Sequence, residues 1–140
     1  MKKSVGIIPY KMVDDKYYFF VGHPGGWKKE YWAYLKGGIE EGENEAEAAL
    51  REFKEESGVD LSGERDKLEY LGIVQQNKSK KVAAFAIKYP DIDPSKCFSN
   101  IIEDVVTPEI DRYCWMEWSE LELLTHPAHI PFYKKIMGIK

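Results

Sequence analysis

The sequence is poor in the features that mark several large classes of protein. It has only two cysteines, Cys97 and Cys114, which lie far apart and form no CxxC pair. This usage argues against a disulfide scaffold and against a cysteine zinc site, and it favours a reducing compartment. The longest apolar run, VAAFAI at residues 82–87, is far shorter than the ~20 residues of a membrane-spanning helix.

An excess of positive charge is also missing. The formal net charge is −4, so the chain lacks the basic footprint of a protein that binds a nucleic-acid polymer. The opening MKKSVGIIPY has a basic pair, but Pro9 interrupts an apolar run that is too short for a signal peptide. We therefore expect a cytoplasmic protein without a membrane partner. Its 140 residues fit one domain, 1–140, and a homodimer stays open.

Local patterns predict a mixture of hairpins and helices. SVGIIPY and KYYFFVG are β-rich runs around the turn KMVDD, and KLEYLGIVQQN and KKVAAFAIKYP form a second such pair. YWAYLKGG and RYCWMEW predict two further strands. Pro94 and Pro108 predict a long loop before the last strand. The order of elements indicates an α+β fold, or an α/β fold with a mixed sheet.

Three helices are predicted. The clearest one is ENEAEAALREFKEESG, with Asn44 as its N-cap and Gly58 at its end. A short helix capped by Ser119 and a terminal helix with Pro131 in its first turn follow near the C-terminus.

The clearest helix separates an apolar stripe from an acidic one. Because a helix advances about 100° per residue, Glu52, Glu55 and Glu56 fall on one side. Such a stripe is most often a solvated face. However, Glu52 and Glu56 form a like-charge i,i+4 pair that costs a few tenths of a kcal/mol unless a cation neutralises it. Mg²⁺ prefers carboxylate ligands of this kind.

Residues outside the helix favour the second interpretation. GGIEEGENEAEAALREFKEESGV fits the pattern G-x5-E-x7-R-E-U-x-E-E-x-G-U, where U is apolar. It resembles the MutT/Nudix hydrolase signature at every fixed position: Gly37, Glu43, Arg51, Glu52, Glu55, Glu56 and Gly58. With each position matched by chance about once in fifteen, such a window arises with a probability on the order of 10⁻⁸.

The resemblance implies a fold, a reaction and a set of roles. The fold is an α/β/α sandwich with a mixed β-sheet, and the reaction is Mg²⁺- or Mn²⁺-dependent hydrolysis of a nucleotide-like diphosphate. By position, Glu52, Glu55 and Glu56 are implied as metal ligands and catalytic groups, with the Lys36 carbonyl as a further ligand. Arg51 and Glu43 are implied as an ion pair between loop and helix. Gly37 and Gly58 are implied to supply tight backbone turns.

The flanking sequence resembles a small bacterial subgroup of predicted nucleoside-triphosphate pyrophosphohydrolases. In the family a proline usually precedes the Lys-Gly or Gly-Gly pair, and this sequence has Leu35 instead. The difference concerns the backbone geometry at the end of the strand. Two alternatives stay open: a dinucleoside polyphosphate hydrolase, and a non-catalytic nucleotide-sensing Nudix domain. Sensing domains commonly lose the acids of the signature, whereas all of them are present in this sequence.

Candidate residues outside the signature are less specific. Glu109 is a candidate metal ligand or base, or else a surface acid, and Glu103 and Asp104 are weaker candidates. Aromatic side chains precede the signature at Trp27, Tyr31, Trp32 and Tyr34. They favour a core position for at least two of the four, and a base contact for one, with Trp27 and Tyr34 as the candidates.

Basic residues in the same region are candidate phosphate contacts. We expect His23 to be exposed beside the Pro-Gly-Gly turn and to bind substrate, as Lys36 does, with Lys28 and Lys29 as further candidates. His126 and His129 do not have a convincing metal-ligand spacing, and we expect them to be structural.

Overall fold

The computed structural model describes residues 2–27, 29–88, 91–99, 101–102 and 107–139. The strands are β1 (Lys2–Val13), β2 (Lys16–Pro24), β3 (Leu35–Gly38), β4 (Glu69–Asn77), β5 (Lys80–Lys88), β6 (Ile101–Ile102), β7 (Thr107–Pro108) and β8 (Ile110–Glu117). The α-helices are α1 (Glu45–Ser57), α2 (Trp118–Leu124) and α3 (Ile130–Met137).

Strand β1 organises a mixed six-stranded sheet in the order β4-β5-β1-β2-β8, with β3 beside β1. It runs parallel to β5 and antiparallel to both β2 and β3. β3 pairs with the first half of β1 and β2 with its second half. The mixed sheet predicted from the sequence is therefore confirmed. The parallel pairing of β1 with β5 was not predicted, because it joins segments about 80 residues apart.

The first hairpin turns more tightly than KMVDD suggested. β1 continues to Val13, and only Asp14 and Asp15 form the turn, with φ of 52° and 64°. Short polar side chains tolerate this left-handed conformation, and it suits a two-residue hairpin turn. The three residues before the turn, 11–13, thus belong to the strand.

Helices cover both faces of the sheet. Alternate side chains of a strand point to opposite faces, so Ile7 packs in the cluster that contains Phe53 of α1. Ile8 packs in the other cluster, with Phe132 and Tyr133 of α3. The resulting sandwich, α1 on one face and α2 with α3 on the other, is the architecture implied by the resemblance.

The ends of the helices follow local side-chain chemistry. The Asn44 side chain accepts a hydrogen bond from the Glu47 amide at 2.8 Å, and Gly58 ends α1 with φ of +78°. The predicted Ser119 cap of α2 is wrong. The Glu117 carboxylate accepts the hydrogen bond of the Ser119 amide instead, so the helix begins at Trp118.

The region predicted as a long loop holds more structure than its prolines suggested. It contains a 3-10 turn at Pro94–Lys96 and the short pair β6 and β7. In the part of the chain that the structure describes, no helix is both long and apolar enough to span a membrane.

Candidate active site and metal cluster

Three carboxylates converge where α1 faces the start of β8. Glu52 and Glu56 project from α1, and Glu109 immediately precedes β8. One oxygen of each lies within 4.8 Å of the others. Glu56 is only 4% exposed and Glu52 is also buried. The structure therefore brings Glu52 and Glu56 of the signature close to Glu109, the candidate metal ligand or base outside it.

The surroundings of Glu56 strongly disfavour its ionised form. Burial, followed by the nearby charges of Glu109 and Glu52, raises the pKa of Glu56 to about 9, and Lys36 opposes the shift. The Oε1 atom of Glu56 is buried and has no hydrogen-bond partner among the described residues. Burial also raises the pKa of Glu52, against the opposing effect of Arg51. A buried acid without a partner is costly, and a cation would relieve that cost.

Glu55 has a different environment from its neighbour in sequence. Its side chain is 42% exposed, and both of its oxygens lie 3.3 Å from the Arg51 guanidinium. It lies outside the cluster of Glu52, Glu56 and Glu109. The predicted metal ligands are thus divided between a buried pair and one exposed acid. The weaker candidates Glu103 and Asp104 lie outside the described residues.

Arg51 connects α1 to the loop before it. Its Nε donates to Glu43 Oε2 at 2.8 Å, and one terminal nitrogen donates to Glu43 Oε1 at 2.9 Å. The same nitrogen donates to the Gly38 carbonyl at 2.8 Å. The other terminal nitrogen donates to Glu52 Oε1 at 2.8 Å. Arg51 therefore fixes the loop and also orients a carboxylate of the cluster.

Gly37 has a different role from the tight turn that the resemblance implied. It lies inside β3, opposite Val5 of β1, and has no positive φ. A Cβ atom at this position would lie 2.0 Å from Glu52 Oε2. The glycine therefore makes room for the carboxylate. Gly58 does occupy a left-handed turn, and a Cβ atom there would also meet the Phe98 ring at 2.5 Å.

A cleft of about 180 Å³ opens beside the carboxylates. Its walls include Glu56, Glu109, Lys36, Tyr31 and Tyr34. Burial, then the charge of Lys80, lowers the pKa of Lys36 to about 8, so the amine is still mostly charged at neutral pH. The cleft thus offers a cationic group beside an acidic cluster, a combination suited to an anion that arrives with a metal ion.

The aromatic segment before the signature divides between core and surface. Trp32 and Tyr34 are buried in the core, and the Tyr34 hydroxyl lies 2.7 Å from His129 Nδ1. Trp27 is 56% exposed, and its ring centroid lies 5.5 Å from that of Tyr31. Trp27 therefore presents exposed aromatic surface next to the half-buried Tyr31, which lines the cleft, whereas Tyr34 lines the cleft from the core.

The expected exposure of His23 is wrong. Its side chain is 0% exposed, because β2 carries it under the loop that follows. Its Nδ1 lies 2.8 Å from Asp111 Oδ1 and its Nε2 lies 2.9 Å from the Lys29 carbonyl oxygen. With both nitrogens engaged and no accessible surface, His23 has no route to a substrate. Lys28 lies outside the described residues.

The two C-terminal histidines have internal contacts. The Nδ1 of His126 accepts a hydrogen bond from the Ala128 amide, and His129 lies between Tyr34 and Gln76. Burial and then the charge of Lys36 lower the pKa of His129 to about 3. Neither residue joins the carboxylate cluster.

The carboxylate cluster fits a hard divalent cation. Its ligand atoms are all oxygens, they lie close together, and one of them is buried without a partner. The position of Glu109 follows from the pairing of β8 with β2, a long-range contact that no local sequence pattern contains. The proximity of Lys80 to Lys36 and the contact of Asp111 with His23 were missed for the same reason.

Comparison with known proteins agrees with this geometry. The sequence profile of the NUDIX domain matches residues 3–136. The chain belongs to the Nudix family. It is 31% identical over 117 residues to an RNA pyrophosphohydrolase of Nitratiruptor sp., covering 76% of this chain and 71% of that protein. It is 27% identical over 108 residues to the m7GpppN-mRNA hydrolase of Saccharomyces cerevisiae, covering 77% of this chain.

The chain spans only about 10% of the length of that yeast protein. Among solved structures, the C. elegans Ap4A hydrolase in a binary complex superposes with a TM-score of 0.66 at 21% identity, covering 99% of this chain and 100% of the other. That likeness concerns the fold. The family match and the relative from Nitratiruptor thus agree on the Nudix family, and the solved structure shows the same fold.

Proposed function

We propose that this Nudix hydrolase cleaves a pyrophosphate linkage in a nucleoside triphosphate or another nucleoside diphosphate derivative, with Mg²⁺ or Mn²⁺ as its cofactor. The observation that carries the proposal is the convergence of Glu52, Glu56 and Glu109 within 4.8 Å beside a cleft that also holds Lys36. Without a cation, these acids would repel an anionic substrate. The same acids therefore make chemical sense as one half of a metal-dependent site.

Glu52 and Glu56 would hold the cation, with Glu109 as a further ligand or as the base, and Glu55 would join on the exposed side after release from Arg51. When bound, the cation supplies Lewis-acid stabilisation of the phosphoryl oxygens and lowers the pKa of a water molecule. Arg51 holds Glu52 in position from the loop side, at 2.8 Å. Gly37 keeps the space beside Glu52 free.

The remaining groups bind substrate and move a proton. Lys36 faces the cleft and offers its ammonium to a phosphate oxygen. The oxygen of water forms a bond to phosphorus, the bridging P–O bond breaks, and a cluster carboxylate accepts the proton of the water. Glu109 is our candidate for this base, because it comes from a different element than the two acids of α1.

The base of the nucleotide would stack on the exposed aromatic surface at the mouth of the cleft. Trp27 provides that surface and Tyr31 supports it, at a centroid distance of 5.5 Å. Tyr34 contributes to the wall of the cleft from a buried position. Stacking alone is tolerant of base identity, so we expect a modest preference among bases.

A product-resolved substrate screen tests the proposal. The panel would contain nucleoside triphosphates, dinucleoside polyphosphates, ADP-ribose and 5′-triphosphorylated RNA, each with Mg²⁺, with Mn²⁺ and with chelator. We expect metal-dependent turnover of at least one nucleotide, with products that identify the cleaved P–O bond. Retained nucleotide binding without turnover across the panel would instead favour a nucleotide-sensing domain.

A matched pair of variants assigns the roles. Glu56→Gln keeps the shape of the side chain and removes its charge, and Glu47→Gln is the control, because Glu47 lies in the first turn of α1 away from the cluster. We expect Glu56→Gln to lose activity while folded and Glu47→Gln to retain it. Equal turnover by folded Glu56→Gln and wild-type protein would contradict the assignment.

A further inference from the structure

His23 is a fully enclosed titratable side chain that the proposed chemistry does not use. It is 0% exposed, lies on β2, and has both ring nitrogens in contact with oxygen atoms. One contact reaches Asp111 of β8 and the other reaches the backbone of the loop between β2 and β3. The ring therefore bridges an edge strand of the sheet and a surface loop.

Both of these contacts are with acceptors. The oxygens belong to the Asp111 carboxylate, 2.8 Å from Nδ1, and the Lys29 carbonyl, 2.9 Å from Nε2. A neutral imidazole carries a single N–H, so it can donate to only one of them. The ring therefore donates a hydrogen bond to at least one of these two oxygens and lies in close polar contact with the other.

Neighbouring charges reinforce the same connection. Arg112 Nε lies 3.7 Å from Asp111, and another Arg112 nitrogen lies 3.3 Å from Glu30 in the loop. Glu30 also accepts from the Trp32 indole at 3.0 Å, and the Trp32 ring lies edge-on to His23. These contacts all hold the described parts of loop 25–34 against the start of β8.

That loop carries the substrate-facing surface. Trp27 is exposed on it and Tyr31 lines the cleft. At the start of the loop, the Gly25 amide donates to the Glu109 carbonyl at 2.8 Å. One side of the loop therefore touches the backbone of a proposed metal ligand, and the other presents the aromatic pair.

We infer that His23, through its ring contacts with Asp111 and with the Lys29 carbonyl, is a positioning residue that holds loop 25–34 over the cleft and so places Trp27 and Tyr31 for the nucleotide. This inference rests on the proposed function for its substrate, while the clamp itself is a property of the protein without substrate. His23 touches neither the phosphate nor the carboxylate cluster in this role.

Long-range ¹H–¹⁵N correlation of the histidine side chains tests the clamp without any turnover. We expect His23 to show a ring N–H that exchanges slowly with solvent, because the ring is buried and donates to Asp111 or to the Lys29 carbonyl. The His129 ring, at which the Tyr34 hydroxyl can donate to Nδ1, serves as a second buried ring for comparison. A His23 ring N–H that exchanges as fast as that of a solvent-exposed histidine would overturn the inference.

Two variants test the positioning. Asp111→Asn keeps the shape of the acceptor and removes its charge, and His23→Phe removes both polar contacts of the ring while filling the space. For each we expect KM to rise about tenfold with kcat changed far less. The reason is that the loop that binds the nucleotide moves, whereas the acids of α1 keep their positions. We also expect faster hydrogen exchange at the Gly25 amide and through the loop, with β1 unchanged.

His126→Asn, which keeps a side-chain acceptor in the turn before α3, is the control and should behave as wild type. If His23→Phe does not fold, Asp111→Asn alone decides. Wild-type KM together with wild-type exchange at Gly25 in Asp111→Asn would overturn the inference. If the substrate screen finds no turnover, the ring spectrum and the exchange rates still test the clamp, so the two failures are distinguishable.

Discussion

Two neighbouring residues of α1, Glu55 and Glu56, have opposite environments. Glu56 is buried, has a pKa raised to about 9 and carries an oxygen without a partner among the described residues. Glu55 is exposed and paired with Arg51. We call Glu52 and Glu56 the inner acids and Glu55 the outer acid. Their difference shows that one helix turn can hold both a buried acid with an unpartnered oxygen and an exposed acid paired with an arginine.

The inner and outer acids should differ most in catalysis. In the proposed reaction, Glu56→Gln should lower kcat/KM by roughly 10²–10⁴-fold, because it removes a ligand of the cation that stabilises the transition state by several kcal/mol. Glu55→Gln should have a smaller effect, because solvent and Arg51 already screen this acid. Steady-state kinetics of both variants, with folding checked by circular dichroism, measure the difference. Equal losses would remove the distinction between inner and outer acids.

Gly37 offers a way to disturb the inner acids without changing them. A Cβ atom at Gly37 would lie 2.0 Å from Glu52 Oε2, whereas one at Gly38 would meet nothing within 4 Å. Gly37→Ala should therefore displace Glu52 and lower kcat/KM by about 10²-fold. Gly38→Ala is the matched control and should stay close to wild type. A near-normal Gly37→Ala enzyme would show that Glu52 can move at little cost.

The inner acids should also make the metal-free protein sensitive to pH. The folded-state pKa of Glu56, about 9, lies above its ordinary value of 4.5, so the folded state binds the proton more tightly than the unfolded state. Its contribution is fully present below about pH 4.5 and is lost as the pH rises toward 9. In chelator, the free energy of unfolding should fall by up to ~1.4 kcal/mol per pH unit across this range.

Urea titrations of wild type and Glu56→Gln at several pH values measure this slope. We expect the slope to be reduced in Glu56→Gln and largely retained in Glu55→Gln. An identical slope in wild type and Glu56→Gln would show that a group other than Glu56 causes the pH dependence.

The smallest effect should come from Arg51, which connects α1 to the loop before it. Arg51→Lys loses the paired hydrogen bonds to Glu43 and the bond to the Gly38 carbonyl, which a single ammonium cannot reproduce. We expect faster hydrogen exchange in loop 38–44 and a loss of activity of about tenfold. Lys54→Arg, on the exposed side of the same helix, is the control. Unchanged exchange in Arg51→Lys would show that other contacts hold the loop.

Local chemistry made the ends of α1 predictable, because Asn44 and Gly58 act through their own backbone neighbourhood. The acidic face was predictable from helix geometry, and the family was predictable from the signature that includes Gly37 and Glu43. The division into inner and outer acids was not, because it depends on Glu109, which only the β2–β8 pairing brings near α1. His23 was misplaced for a related reason. A turn beside a histidine suggests exposure, but the chain after that turn folds back over the ring.

The most direct test of the central claim is calorimetric titration of the substrate-free protein with MnCl₂. We predict that wild-type protein binds the ion, that Glu56→Gln loses this binding, and that Glu55→Gln retains it with reduced affinity. Binding of equal strength in wild type and folded Glu56→Gln, or no binding in wild type, would contradict the assignment of the inner acids as the metal site.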